Sequence, residues 1–281
     1  MSLAPEAQPN SAPPPICRTA FLLKHLCIPL CVGLLLLALV TTYVDRAVSN
    51  WFYDAAAGRF PLHYNSMLET VMHLWVKYLV VLLACAAIGA FFFSFAAARW
   101  RPWRRLLLFL SLSLTLAPGA VAVFKSAGNR YCPYDMVEYG GFAPYRSLFE
   151  RPAPGVKPGH CSLSGHASSG FSLLAFYFVG LTLKRPTLAR MGLWGGVAAG
   201  MIFGLTRVAQ GAHFLSDILG AGLICWLVIL VLHIVLFGAR GDSFAHPSPA
   251  LGNGDAARRV AAPLNSRPPS AFWRRQNPVE S

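Results

Sequence analysis

Charge is scarce in this chain of 281 residues: Asp, Glu, Lys and Arg together make up 12% of it, with 11 acidic against 24 basic residues. That poverty, beside 55% apolar residues and a mean hydropathy of +0.50, excludes an ordinary soluble domain, in which about a quarter of residues are charged. No long-period repeat runs through the chain, which sets aside solenoids and propellers. No small-x-small cleavage site follows the first apolar stretch before Asp45, so that stretch reads as a retained span rather than a removed signal. Cys132, His160, Cys161 and His166 fall in one segment, but no pair among them has the spacing that zinc sites use. Neither a metal nor another cofactor is expected.

What the chain has instead is apolar length. Charge-free intervals run over 25–44, 78–98, 106–124, 158–183, 191–206 and 218–239, each near the roughly 20 residues a helix needs to cross the hydrocarbon. In 158–183 the apolar part begins only near Ala167, and 191–206 extends back to about Leu188 if Arg190 snorkels to the interface. The expectation is an all-α polytopic membrane protein of six transmembrane helices over 25–239. Residues 1–24 and 240–281, rich in Pro, Ala, Ser and Arg without periodicity, read as disordered tails.

The formal charge of +13 suggests nucleic acid until its distribution is considered. Arg99, Arg101, Arg104 and Arg105 lie between the second and third spans. Lys184, Arg185 and Arg190 lie between the fourth and fifth, and six arginines follow residue 239. These are alternate loops, on the side of Arg18 and Lys24. The positive-inside rule puts that side and both termini in the cytoplasm, so 45–70, 125–166 and 207–213 face outward. The basic excess is a topology signal, and the expected partners are the bilayer and a lipid, with no nucleic acid.

The outward segments hold three suggestive clusters: Lys125 and Arg130 in FKSAGNRYCP; Ser164, Gly165 and His166 in CSLSGHASSGF; and Arg207, His213 and Asp217 in TRVAQGAHFLSD. Cations, a hydroxyl and a bare backbone amide suit a phosphoryl group, whose charge spreads over several oxygens. Ser-Gly-His also begins a helix, whose first N–H groups and positive dipole end favour an anion. His213 and Asp217 are four apart and share a helix face. The carboxylate there can take the Nδ1 proton and leave Nε2 free to attack. Arg207 and His213 would diverge on one continuous helix, so Gly211 between them marks an expected break. Each feature has a plain alternative: a helix cap at Ser164, a surface pair at His213 and Asp217, an interfacial anchor at Arg207. What raises the set above these is that all fall on one side, and that Asp217 opens an apolar run where an unpaired carboxylate is costly. Span five also carries Gly192, Gly196, Gly200 and Gly204, a spacing that permits close helix approach.

The motifs resemble those of the type 2 phosphatidic acid phosphatase family: K-x6-R-P, then P-S-G-H, then S-R-x5-H-x3-D. Here the third reads Thr206-Arg207-x5-His213-x3-Asp217 and the second Leu163-Ser164-Gly165-His166. The first keeps Lys125 and Pro133, but Cys132 stands where the family has arginine, and the nearest arginine is Arg130. By this resemblance His213 is the nucleophile that becomes a phospho-histidine, Asp217 orients it, and His166 is the acid for the leaving group. Lys125, Ser164, Gly165 and Arg207 hold the phosphate, with Arg130 a stand-in for the missing arginine.

The family includes integral-membrane lipid phosphatases and soluble vanadium haloperoxidases, and a chain this apolar fits the former. The text around the motifs is most similar to bacterial members acting on envelope lipids. Lipid A, undecaprenyl pyrophosphate, phosphatidylglycerol phosphate and phosphatidate are the candidates. A phosphotransferase using the same histidine, and a non-catalytic transporter or structural membrane protein, are the alternatives. The expected location is a bacterial inner membrane with the site facing the periplasm. In that compartment Cys132 and Cys161, alone of seven cysteines, sit in an outward segment where disulfides persist. A bond between them would join two of the clusters; two free thiols are the alternative.

The topology has a direct check. A reporter fused after Ser281 should be active only if it works in the cytoplasm; activity of a periplasm-only reporter there would reverse the assigned side of the site.

Overall fold

In lipid the backbone must satisfy its own polar groups, and for apolar runs of this length the helix does so. The computed structural model describes residues 15–68, 70, 71, 75–145, 159 and 161–239; the expected tail 240–281, residues 1–14 of the expected N-terminal tail and His160 lie outside them. The first apolar run forms α1 (Pro15–Leu22), α2 (Ile28–Leu39) and α3 (Asp45–Phe52), joined through π-turns at Leu23–Cys27 and Val40–Val44. This rod begins at Pro15, so the boundary expected at residue 24 falls inside it. A single turn, α4 (Ser66–Leu68), precedes α5 (Val76–Ala96), and a 3₁₀ turn at Ala98–Trp103 leads into α6 (Arg104–Ser126). Then come α7 (Gly165–Phe171) and α8 (Ala175–Thr182), joined by a 3₁₀ turn, and finally α9 (Pro186–Ala209) and α10 (Leu215–Phe237). Among the described residues there is no β-strand, and all of them belong to one compact unit.

Five helices among the described residues are long and apolar enough to cross a membrane: Arg18–Leu39, Tyr78–Ala96, Ala98–Ser126, Pro186–Ala209 and Leu215–Phe237. The protein is a polytopic all-α membrane protein. The remaining expected span, 158–183, takes a different form. It is the α7–α8 rod, interrupted at Ser172–Leu174 and polar over its first turn, Gly165 to Ser169. Polarity is tolerated there because α6, α9 and α10 all pack against it, with Ala167, Ala175 and Phe178 fully buried.

The glycine row of α9 is the seam of that packing. Gly192, Gly196, Gly200 and Gly204 are all buried. A Cβ on Gly192 would run into the backbone of Phe176 and Tyr177, and one on Gly200 into the ring of Phe171. The helices therefore approach at backbone distance, as small residues allow in lipid. The first rod is tied in by polar contacts inside the apolar core: His25 Nε2 lies 2.8 Å from the Tyr177 hydroxyl, and the indole N–H of Trp226 donates to the His25 carbonyl at 2.7 Å. Such contacts keep polar groups in a span from standing unsatisfied.

The seam yields a paired prediction. Gly192→Val should overpack the α8–α9 contact, cost at least about 1–3 kcal/mol and lower the melting temperature in detergent. Gly195→Ala, on the same helix where a Cβ meets nothing within 4 Å, should leave it unchanged or slightly raised. Equal melting temperatures for the two variants would contradict the seam.

Candidate active site

Four chain segments converge at one end of the bundle. The first is the end of α6, which carries Lys125. A helix cannot continue past it: Ala127 N–H and Gly128 N–H close on the last carbonyls, and a Cβ on Gly128 would strike Ser162. The second is the loop after α6, whose Arg130 carbonyl accepts the Cys161 N–H at 2.8 Å. Beside that contact, Cys132 and Cys161 are joined in a disulfide, with Cα atoms 5.0 Å apart. Both sulfurs are thereby consumed, so neither is a thiolate ligand. The third is the start of α7, where the Ser164 hydroxyl accepts the Ala167 N–H at 3.4 Å, a helix cap. The fourth is the turn from α9 to α10.

That turn follows from its sequence. Gly211 adopts φ +70°, a left-handed conformation that glycine takes without steric cost, and so ends α9. Arg207 is left on the last turn of α9, and His213 precedes α10, so both reach one cavity. Leu163 has φ +55°, a value proline cannot take because its ring fixes φ near −65°. The departure from P-S-G-H at this position thus has a backbone correlate.

The cavity is about 460 Å³. Lys125, Arg207 and His213 line it together with the disulfide-bonded Cys132 and Cys161, and Tyr131, Tyr134, Asp135 and Phe142 form further walls. Arg207 is steadied from behind, its Nη1 donating to the Gln210 side chain at 2.7 Å. His213 is 4% exposed. Its Nδ1 faces two acceptors, the Cys161 carbonyl at 3.2 Å and Asp217 Oδ2 at 3.4 Å. With two acceptors there, Nδ1 carries the proton and Nε2 keeps its lone pair. Asp217 Oδ2 also accepts the Phe214 N–H at 2.9 Å, which caps α10 and fixes the carboxylate. Burial holds His213 below the ordinary histidine value, more than offsetting the opposing pull of Asp217. Burial pushes Asp135 above its ordinary value against a Cys132 backbone hydrogen bond and the nearby His63.

The sequence-predicted residues divide. Lys125, Arg207 and His213 share the cavity, Asp217 stands behind His213, and the disulfide forms part of the wall. Ser164, Gly165 and His166 open α7 beside it without lining it. Ser164 is fully buried in its capping role, whereas a Cβ on Gly165 would meet nothing within 4 Å. The absence of a side chain at Gly165 is therefore not a packing requirement.

Arg130 corrects the expectation that it substitutes for the missing phosphate ligand. Its side chain is 1% exposed and does not line the cavity. Nη1 donates to Asp217 Oδ1 at 3.1 Å and to Ser216 Oγ at 2.8 Å, while Nη2 donates to Asp45 Oδ2 at 2.9 Å. Burial works against the charged guanidinium, but the carboxylates of Asp217 and Asp45 outweigh it and hold Arg130 above its ordinary value. Sequence reasoning missed Asp45, Ser216, Gln210 and Asp135. For Asp45 a signal existed: a carboxylate directly after an apolar run is costly unless paired, the same argument that picked out Asp217.

Residues 106–240 match the family model described as the PAP2 superfamily. The chain is also 26% identical over 203 residues, 71% of its own length and 89% of the relative's, to the lipid A 4'-phosphatase of Francisella tularensis subsp. novicida (strain U112). No solved structure matches the chain at a significant level.

The burial of His213 gives a pH prediction. A histidine depressed below about 6.5 stays neutral, with its Nε2 lone pair free, as pH falls through that value. The acid limb of kcat/KM for a phosphoester should therefore lie below pH 6.5. Asp217→Asn removes the charge that raises His213, so the limb should move lower still while the rate falls. A limb above pH 7 in the unaltered protein would overturn the assignment.

Proposed function

We propose, from the premise that this chain belongs to the PAP2 superfamily, that it removes a phosphate monoester from an envelope lipid through a phospho-histidine at His213. The observation that carries this reading is the orientation of one ring. Asp217 and the Cys161 carbonyl hold Nδ1, while His213 faces a cavity shared with Lys125 and Arg207. The Nε2 lone pair forms a bond to phosphorus as the bond to the lipid oxygen breaks, and the two cations offset charge on the transferring oxygens. His166, at the start of α7 beside the cavity, gives its proton to the departing oxygen. It then takes one from the water that cleaves the phosphohistidine. The protein's own cations supply the stabilisation, so the reaction proceeds without a metal.

The site opens at the end of the bundle opposite the arginine-rich loops, which the positive-inside rule assigns to the cytoplasm; the reaction therefore takes place at the periplasmic face of the inner membrane. The walls favour one class of headgroup. Tyr131 and Phe142 meet edge to face at 5.9 Å, Tyr134 stacks edge-on with His63 at 4.6 Å, and Asp135 adds an acceptor. Flat apolar faces beside an acceptor suit a sugar ring with its hydroxyl donors, which favours a phosphorylated saccharolipid over a polyprenyl diphosphate. The relative's name, a lipid A 4'-phosphatase, supports the same choice.

Purified protein assayed against lipid A, undecaprenyl pyrophosphate, phosphatidylglycerol phosphate and phosphatidate should release phosphate fastest from lipid A, with EDTA present. His213→Ala should abolish release while the protein still inserts. His166→Ala should cost about 10²–10⁴-fold, and less on substrates with good leaving groups. Loss of activity in EDTA with recovery in zinc would defeat the metal-free reaction, and label passing from lipid to lipid would reassign the enzyme as a phosphotransferase.

A further inference from the structure

The family motif places an arginine on the phosphate, and here Arg130 is turned away from the cavity. Its surroundings say what it does instead. The guanidinium lies 3.8 Å from the centre of the Phe214 ring and forks between two carboxylates from distant parts of the chain. Asp45, at the first position of α3, is fully buried. Its Oδ1 accepts the Ser216 N–H at 2.8 Å, and its Oδ2 accepts the Ser216 hydroxyl at 2.5 Å as well as Arg130 Nη2. Asp217 is divided the same way, Oδ1 to Arg130 and Oδ2 to His213 and the Phe214 N–H. Asp45 thus holds the first turn of α10 directly through Ser216 and holds Asp217 through Arg130.

We infer that Asp45 and Arg130 are positioning residues for the nucleophile, a buried relay of Asp45, Arg130, Asp217 and His213 that sets the carboxylate plane and so the aim of His213 Nε2. The relay also has an electrostatic part. Two carboxylates around one guanidinium leave a net negative charge behind His213, where the ring becomes cationic once Nε2 is bonded to phosphorus. Removing the Asp45 charge leaves a neutral Arg130–Asp217 pair and a less stabilised intermediate. Asp45 lies outside residues 106–240, the part matched by the family model, and reaches the site from α3, at the end of the first helical rod. The inference rests on the phospho-histidine reading above.

The test is steady-state kinetics of purified Asp45→Asn, Arg130→Lys and Ser216→Ala proteins on a phosphorylated lipid, with inorganic phosphate binding measured alongside. A group acting through the nucleophile should lower kcat by about 10–100-fold for Asp45→Asn and Arg130→Lys, with KM and phosphate affinity near those of the unaltered protein. Asp45→Glu, which restores the charge, should recover part of kcat. Ser216→Ala keeps the ion pairs and serves where Asp45→Asn fails to fold; it should lower kcat more modestly, again without raising KM. An unchanged kcat in whichever of these variants folds would overturn the relay, as would a loss of phosphate affinity in Arg130→Lys, which would put Arg130 on the substrate. Inactivity of the unaltered protein would overturn the proposed function and the relay with it, whereas an active parent with unchanged variants defeats the relay alone.

Discussion

The fork of Arg130 between Asp45 and Asp217 is the contact on which the functional end of this protein depends. Asp217 must be ionised to hold His213, yet it sits fully buried at the head of an apolar helix, where a lone carboxylate would be strongly disfavoured. The guanidinium makes that charge tenable, and Asp45 gives its Nη2 the acceptor that Asp217, bonded to Nη1, does not supply. The first helical rod, the loop after α6 and the start of α10 are thereby joined at one point. The cavity lined by Lys125 and Arg207 is thus backed by a layer in which two carboxylates surround one guanidinium.

Two further devices hold that layer at the correct height. The glycine seam lets α9 lie against the α7–α8 rod at backbone distance, which brings Arg207 to the cavity on the last turn before Gly211 breaks the helix. The disulfide fastens the loop bearing Arg130 and Cys132 to the loop bearing Cys161, whose carbonyl is one of the two acceptors at His213 Nδ1. Closing a loop of this length contributes on the order of 3 kcal/mol, but its consequence for function is positional: it keeps a backbone carbonyl beside the imidazole. With Cys132 in the bond, the place where the family has an arginine is a neutral wall. Among the described residues, the lysine and arginine side chains lining the cavity are Lys125 and Arg207.

Much of this was legible in the residues. Apolar run length announces helices because the bilayer imposes one length on every span. The spacing of Arg207, His213 and Asp217 announces the site because it is set by one helix and one glycine break, both local. Glycines four apart on α9 announce the seam for the same reason. These features are short-range, and short-range geometry is carried by sequence spacing.

Tertiary structure alone decided the rest. Its place in the sequence, near the first motif, makes Arg130 a phosphate ligand by expectation. What turns it inward is Asp45, 85 residues away, and no local rule pairs residues at that distance. Likewise the fourth apolar interval read as a span by length, whereas the packing of α6, α9 and α10 around it is what lets its polar first turn stay within the fold. The sequence by itself determined which segments are helical, which end of the bundle gathers Lys125, Arg207 and His213 and which histidine has a carboxylate one turn away, since all three follow from spacing along one chain. Which of the described cations face the cavity, and which is held behind His213 between two carboxylates, was decided only when distant helices came together, because a buried charge takes its role from the partners that surround it.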